Sequence, residues 1–388
     1  MQSPLKPEAG ELEALRTARR DLHRIPELAG QEKKTRAYIE SYIACHTTRL
    51  VIKHSSEKGI IASYQGGGGL PVIGFRAELD ALPVEDAKAD APYRSRHPGL
   101  SHACGHDAHM SILLQLIRWV DRIAPAVNCC FIFQAAEEVM AGARELIPLL
   151  REQKLEYLYS LHVTPDLYAG YFSLRPGLAL AGCLNAELLL ELAAGHASDQ
   201  PDALQVLADV RQFQEVYRTD SRFCKITHVE TNGYYNVIPD RLKLYLTIRS
   251  AEAAALREGY QQLLDAVSAS SQVRGLLDSR IISEYPCCVN DPALTRLTAR
   301  LLSRRFGREQ VLEAPFLFSS DDFAFYAKEL PAVKTCYYFI GAYVRENNHV
   351  HTGAFDLDEN ALLFGLSSYQ AIIQMFVQAG RSRKAPGQ

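Results

Sequence analysis

Between Ser101 and Met110 the chain reads His102-Ala103-Cys104-Gly105-His106-Asp107-Ala108-His109: three imidazoles, a thiol and a carboxylate within eight residues. Each of these groups binds a transition metal when deprotonated, and no packed core requires such a composition. Two further carboxylates, Glu137 and Glu138, follow the apolar run Cys129–Phe133. Adjacent carboxylates at a strand end point to opposite sides, so one can coordinate an ion while its neighbour reaches a bound water as general base. His162 closes the short apolar run Tyr157–Val163, and His349-Val350-His351 stands near the C-terminus. Singly these residues have ordinary readings: a solvated helix start, a histidine packed in a strand, a loop pair. Together Cys104, His106, Glu138, His162 and His351 are five donors, more than one tetrahedral ion takes, and they suit two nearby ions sharing a ligand. The same cluster also admits a thiol hydrolase, with Cys104 as nucleophile and His102 or His106 as base. Chelation separates the two chemistries.

These donors need a frame, and the hydrophobic pattern supplies one. Helices are expected over about residues 8–24 and around Gln31–Ala44, with strands at Leu50–Lys53, Gly59–Tyr64 and Val72–Arg76. Four glycines, Gly66 to Gly69, read as a hairpin turn between the last two strands. Met110, Leu113, Leu114, Ile117 and Val120 recur at helical spacing, which puts His106 and Asp107 at a helix start with Asp107 as a cap. With the strands Cys129–Phe133 and Tyr157–Val163, this alternation predicts an α/β sheet with its site at the C-terminal strand ends. From about Cys183 the order becomes strand-helix-strand-strand-helix-strand: Leu184–Leu192, a helix through Val206 and Tyr217, Lys225–Thr231, Leu242–Arg249, a helix through Leu256 and Val267, and Arg280–Tyr285. That is the ferredoxin-like split pattern, expected as an insertion over 183–287 into a catalytic domain of 1–182 and 288–388. A final helix starts at Asp358, and the tail 381–388 reads as frayed.

A length of 388 residues predicts two domains. The 42 basic and 45 acidic residues include no basic block, so neither nucleic acid nor a membrane surface is an expected partner. The start MQSPLKPEAGELEALRTARR lacks an apolar signal core, and no run reaches the roughly 20 apolar residues of a membrane span. Nine cysteines without a CxxC pair read as reduced thiols, which predicts a cytoplasmic protein.

Taken with Arg20–Leu28, Phe75–Pro83, Phe133–Glu138, Leu161-His162-Val163, Asn236–Asp240, Asp322-Phe323-Ala324 and His351-Thr352, the cluster resembles the aminoacylase, hippurate hydrolase and carboxypeptidase family of two-metal metallopeptidases. The resemblance runs nearly end to end. It is strongest to the branch of indole-acetyl-amino-acid hydrolases and N-acetyldiaminopimelate deacetylases. It implies a central mixed sheet with a ferredoxin-like lid that dimerises, and two divalent ions, zinc or manganese, held by Cys104, His106, Glu138, His162 and His351. It further implies that Glu137 is the general base for a metal-bound water, and that His196 reaches the partner's site to stabilise the oxyanion. Asn236 and Arg249 are expected to contact the substrate carboxylate, though Arg249 also reads as a plain strand arginine. Asp80 would sit behind the ligands; His102 and His109 read as neighbours. The implied activity is removal of the acyl group from a small N-acyl amino acid, with N-acetyldiaminopimelate as a specific case and a non-catalytic metal-binding relative as the alternative. Departures from the pattern are Ala135 in place of a proline, the stretch Ala194–Asp202 around His196, and Ser319-Ser320-Asp321-Asp322.

Overall fold

The computed structural model describes residues 10–139, 142–199 and 202–383. Residues 8 and 9 of the first expected helix, Gln200 and Pro201 of the loop after His196, and residues 384–388 of the tail lie outside the described residues. The chain forms two compact units. One comprises Leu180–Cys288 with Phe316–Ala324, and the other is made by the rest of the chain. The segment Phe316–Ala324 belongs with the insertion although it follows it by almost thirty residues, which the expected span of 183–287 did not include.

The first unit is built on an eight-stranded mixed sheet in the order Val51–Ser56, Gly59–Tyr64, Asn128–Gln134, Val72–Glu78, Tyr157–Thr164, Lys334–Gly341, Phe172–Leu174 and Val311–Glu313. Asn128–Gln134, Val72–Glu78, Tyr157–Thr164 and Lys334–Gly341 run parallel. Their near-continuous apolar runs are buried, as strands covered on both faces must be. The helix His106–Ile123 is buried along almost its whole length and packs between Glu11–His23, Asn360–Arg383 and the sheet. Within the helix Asn360–Arg383, Asn360–Arg381 is long and apolar enough to cross a membrane by length and composition, but here Leu362, Leu366, Tyr369 and Ile373 are buried in the core.

The glycine run is not a hairpin. Gly59–Tyr64 and Val72–Glu78 are not neighbours, because Asn128–Gln134 lies between them, antiparallel to the first and parallel to the second. Residues 65–71 therefore cross over the start of Asn128–Gln134. Gly66 meets that segment so closely that a Cβ would strike the carbonyls of Pro125 and Val127, and its N–H donates to Asn128 Oδ1 at 3.0 Å. A crossover and a tight turn need the same flexible residues, and local composition does not separate them.

The second unit is a four-stranded antiparallel sheet in the order Arg222–Thr231, Arg241–Ser250, Gly182–Leu192 and Val273–Tyr285. Leu242, Leu244, Leu246 and Ile248 alternate inward against the helices Ala203–Tyr217 and Ala253–Ser268. This is the split pattern read from the sequence, with only one sheet face covered by helices.

Candidate metal centre

Three parallel strand ends position the donors. Val72–Glu78 leads to Asp80, Asn128–Gln134 leads to Glu137 and Glu138, and Tyr157–Thr164 carries His162. Between them the helix from His106 begins at Gly105, whose φ of 90° and close approach to the Val163 side chain exclude a Cβ. Ligand atoms of Cys104, His106 and His162 lie within 4.8 Å of one another, and so do those of Cys104, Glu138 and His351 and those of His106, Glu137 and Glu138. Cys104, His106 and Glu138 are each common to two of these groups. All five expected ligands and the expected base come together in the first unit.

The hydrogen bonds select the imidazole tautomers. His106 Nδ1 lies 2.8 Å from the Asp80 carbonyl, which can only accept, so Nδ1 carries a proton and Nε2 is the nitrogen turned toward the other donors. His162 Nδ1 faces the Val163 carbonyl at 2.7 Å, freeing Nε2, which lies 3.4 Å from Cys104 Sγ. His106 Nε2, Glu138 Oε1 and Asp80 Oδ1 are buried with no hydrogen-bond partner among the described residues. Burial pushes the Glu138 carboxyl and the Cys104 thiol up, so each anion lacks compensation from the protein alone, and it pushes His162 down, toward the neutral imidazole that can ligate an ion. A divalent cation supplies what is missing, and the thiolate, imidazole and carboxylate set fits zinc or a similar ion.

The carboxylate turn is held from three sides. Ala136 adopts a left-handed φ of 56°, a strained conformation for a residue with a Cβ. Glu32, 2% exposed, accepts its N–H at 2.9 Å, and Asp80 Oδ2 accepts the Glu138 N–H at 2.9 Å. The departure at Ala135 adds a bond that proline could not make, from its N–H to the Lys58 carbonyl at 3.2 Å. Glu32 gives no signal in the sequence, because its partner is about a hundred residues away.

The other members of the histidine segment face elsewhere. His109 Nδ1 meets Glu78 at 2.6 Å, and its Nε2 accepts the Val163 N–H at 3.0 Å, so both nitrogens are occupied. Glu78, itself paired with Arg76, is held well below the usual carboxylate range: burial opposes this, and Arg76 and His109 overcome it. His102 is buried with neither nitrogen bonded among the described residues, and burial lowers its pKa to about 3. Asp107 does accept one N–H in the first helical turn, that of Ala108 at 3.0 Å. Its other oxygen serves Arg19 at 2.8 Å and His23 at 2.7 Å. It is a buried anchor for the first helix more than a cap.

His196, Asn236 and Arg249 belong to the second unit. His196 is exposed on the short strand Gly195–His196, paired with Val237–Ile238, and the Asn236 carbonyl accepts the Ala197 N–H at 3.1 Å. The Ser198 N–H donates to His196 Nδ1 at 3.3 Å, which leaves the proton on Nε2. Arg249 is half-buried in Arg241–Ser250, its guanidinium on Ser320 and Thr247.

Against known proteins, the description "Peptidase family M20/M25/M40" matches residues 74–375. The chain is 30% identical over 380 residues to an N-acetyldiaminopimelate deacetylase of Enterococcus faecalis, covering 94% of this chain and 98% of that one. It is 26% identical over 373 residues to an N-acetylcysteine deacetylase of Bacillus subtilis, covering 92% and 95%. Among solved structures, a Bacillus subtilis dinuclear metal-binding peptidase superposes with a TM-score of 0.78 over 96% of this chain and 99% of that one. Their sequences are 23% identical, a likeness of fold.

Proposed function

The chain belongs to peptidase family M20/M25/M40, whose members it matches as a metal-dependent hydrolase, and on that premise we propose that it removes the acyl group from N-acyl amino acids. N-acetylated amino acids come first, N-acetyldiaminopimelate among them, because the relatives named above carry such substrates in their names. The observation that carries the reading is the set of buried donor atoms left without partners beside a second carboxylate.

Cys104, His106, Glu138, His162 and His351 would hold two divalent ions, zinc or manganese. When bound, such ions polarise an amide carbonyl and acidify water. Glu137 is the general base in this reading: it takes the proton of the attacking water and returns it to the leaving amine. Asp80 orients the ligand set through its carbonyl on His106 and its carboxylate on the Glu138 N–H. The second unit acts as lid and dimer contact, and His196, with its proton on Nε2, is a donor suited to an oxyanion in the partner's site. Asn236 and Arg249 take the substrate carboxylate. The nine free thiols favour a cytoplasmic setting.

Glu137→Gln tests the assignment. Turnover of N-acetyl amino acids is expected to fall by about a hundredfold to ten-thousandfold while bound metal, measured by elemental analysis, is retained. Near-normal turnover would remove Glu137 as base. Activity that survives chelation would remove the metal reading.

A further inference from the structure

Two cations on the sheet of the second unit are paired with neighbouring carboxylates, and Arg249 is held in another way. Lys243 lies 3.0 Å from Glu187, and Arg280 lies 3.3 Å from Glu187 and 2.9 Å from Asp278, so both are neutralised by neighbours on the sheet. Arg249, on the same strand as Lys243, has no carboxylate partner among the described residues. Its Nη1 donates to Ser320 Oγ at 2.7 Å and its Nε to Thr247 Oγ1 at 3.2 Å. Neutral hydroxyls orient a guanidinium without cancelling its charge.

Ser320 is well placed for this task. Its own hydroxyl proton goes to the Ala181 carbonyl at 2.8 Å, which turns the Oγ lone pairs toward Arg249. Ala181 adjoins the strand Gly182–Leu192, on which Cys183 faces Arg249 directly. The returning segment Phe316–Ala324 therefore fixes one edge of the guanidinium to the sheet and leaves Nη2 with no bond among the described residues. An arginine held in this way is preorganised for an external carboxylate, and the entropy of ordering it is met before ligand arrives.

We propose that Ser320 is a positioning residue for substrate recognition, acting through Arg249 to set the affinity for the substrate's carboxylate, with Thr247 as the second support. This rests on the reading of Arg249 as a contact to that carboxylate. Ser320 touches no reacting atom, so its removal should raise KM and leave kcat unchanged.

The experiment uses the metal-loaded full chain with an N-acetyl amino acid and, in parallel, the same compound with its carboxylate converted to an amide. Arg249→Ala is expected to raise KM for the acid about a hundredfold and Ser320→Ala about tenfold, the scale of losing bonds to charged groups. Neither variant should change KM for the amide by much. Ser320→Thr should recover most of the loss, which also guards against a folding defect in the alanine variant. The double variant should be no worse than Arg249→Ala alone, since Ser320 acts through that side chain. If Arg249→Ala raises KM and Ser320→Ala does not, or if the two losses multiply, the role of Ser320 is overturned and that of Arg249 stands. If Arg249→Ala leaves KM unchanged, the carboxylate reading itself fails.

Discussion

Two groups of buried polar residues lie side by side in the first unit, and they are built on opposite terms. Around Asp107 each charge has its counterpart: Arg19 and His23 on Asp107, Asp86 on His23 at 3.2 Å, Lys88 on Asp86 at 2.8 Å. Around Cys104 the burial is similar and the residue types overlap, yet His106 Nε2, Glu138 Oε1 and Asp80 Oδ1 have no bond among the described residues. His106 and Asp107 are consecutive, and one turns to each group. A buried polar atom without a partner costs about 1–3 kcal/mol, so a fold keeps several together only where something outside the chain completes them. Saturation of the charged groups distinguishes architecture from site here; burial and residue type do not. The neutral His102, buried beside His23 with neither nitrogen bonded among the described residues, is the exception.

The strongest test of this comparison pairs the two neighbours in metal-stripped protein. Asp107→Ala takes from Arg19 and His23 their shortest carboxylate contacts, leaving Arg19 with Asp356 and Glu359 at 3.4 Å and His23 with Asp86 at 3.2 Å, and should cost about 3 kcal/mol in urea unfolding. His106→Ala removes a group already lacking a partner on one side and should cost no more than about 1–2 kcal/mol. Equal losses would end the distinction. Next in size is Asp80→Ala, which frees the Glu138 N–H from its acceptor. Metal affinity, measured by competition with a chromogenic chelator, should fall about tenfold to a hundredfold, with the unfolding midpoint of the stripped protein little changed. Smaller again is Glu32→Ala, which leaves the Ala136 N–H unpaired in its strained turn and should cost about 1–3 kcal/mol by thermal unfolding.

These residues were unequally visible beforehand, for physical reasons. Cys104, His106, Glu137 and Glu138 announce themselves because donors crowded into a short segment have no use in a core. Asp107 reads locally as a cap; its anchoring of Arg19 depends on a contact 88 residues away in sequence, which no spacing rule reports. Glu32 and Glu78 are invisible for the same reason, each looking like any acid of a helix or strand. The parallel strands were legible from their apolar runs. The order in which they lie side by side was not, and the glycines after Tyr64 were assigned to a hairpin that the intervening strand Asn128–Gln134 forbids.

The least of the expected effects is the most selective for the saturated group. Asp86 is held well below the ordinary carboxylate range: burial works against this, and is outweighed by the contacts to His23 and Lys88 and by the backbone N–H groups of Ser95 and Lys88. A carboxylate whose folded pKa is depressed contributes stability that is present above its unfolded value of about 3.9 and lost as pH falls toward the folded value. Asp86→Asn keeps the shape and removes the charge. At pH 7 the variant should therefore be less stable than the parent by about 1 kcal/mol, and the gap should close as pH is lowered below about 4. Measuring both in metal-stripped protein keeps acid-driven loss of metal at the neighbouring centre from contributing. A gap that stays constant with pH would mean that the loss comes from a hydrogen bond the amide cannot reproduce and not from the charge, and that the charges around Asp107 are less fully matched than their distances imply.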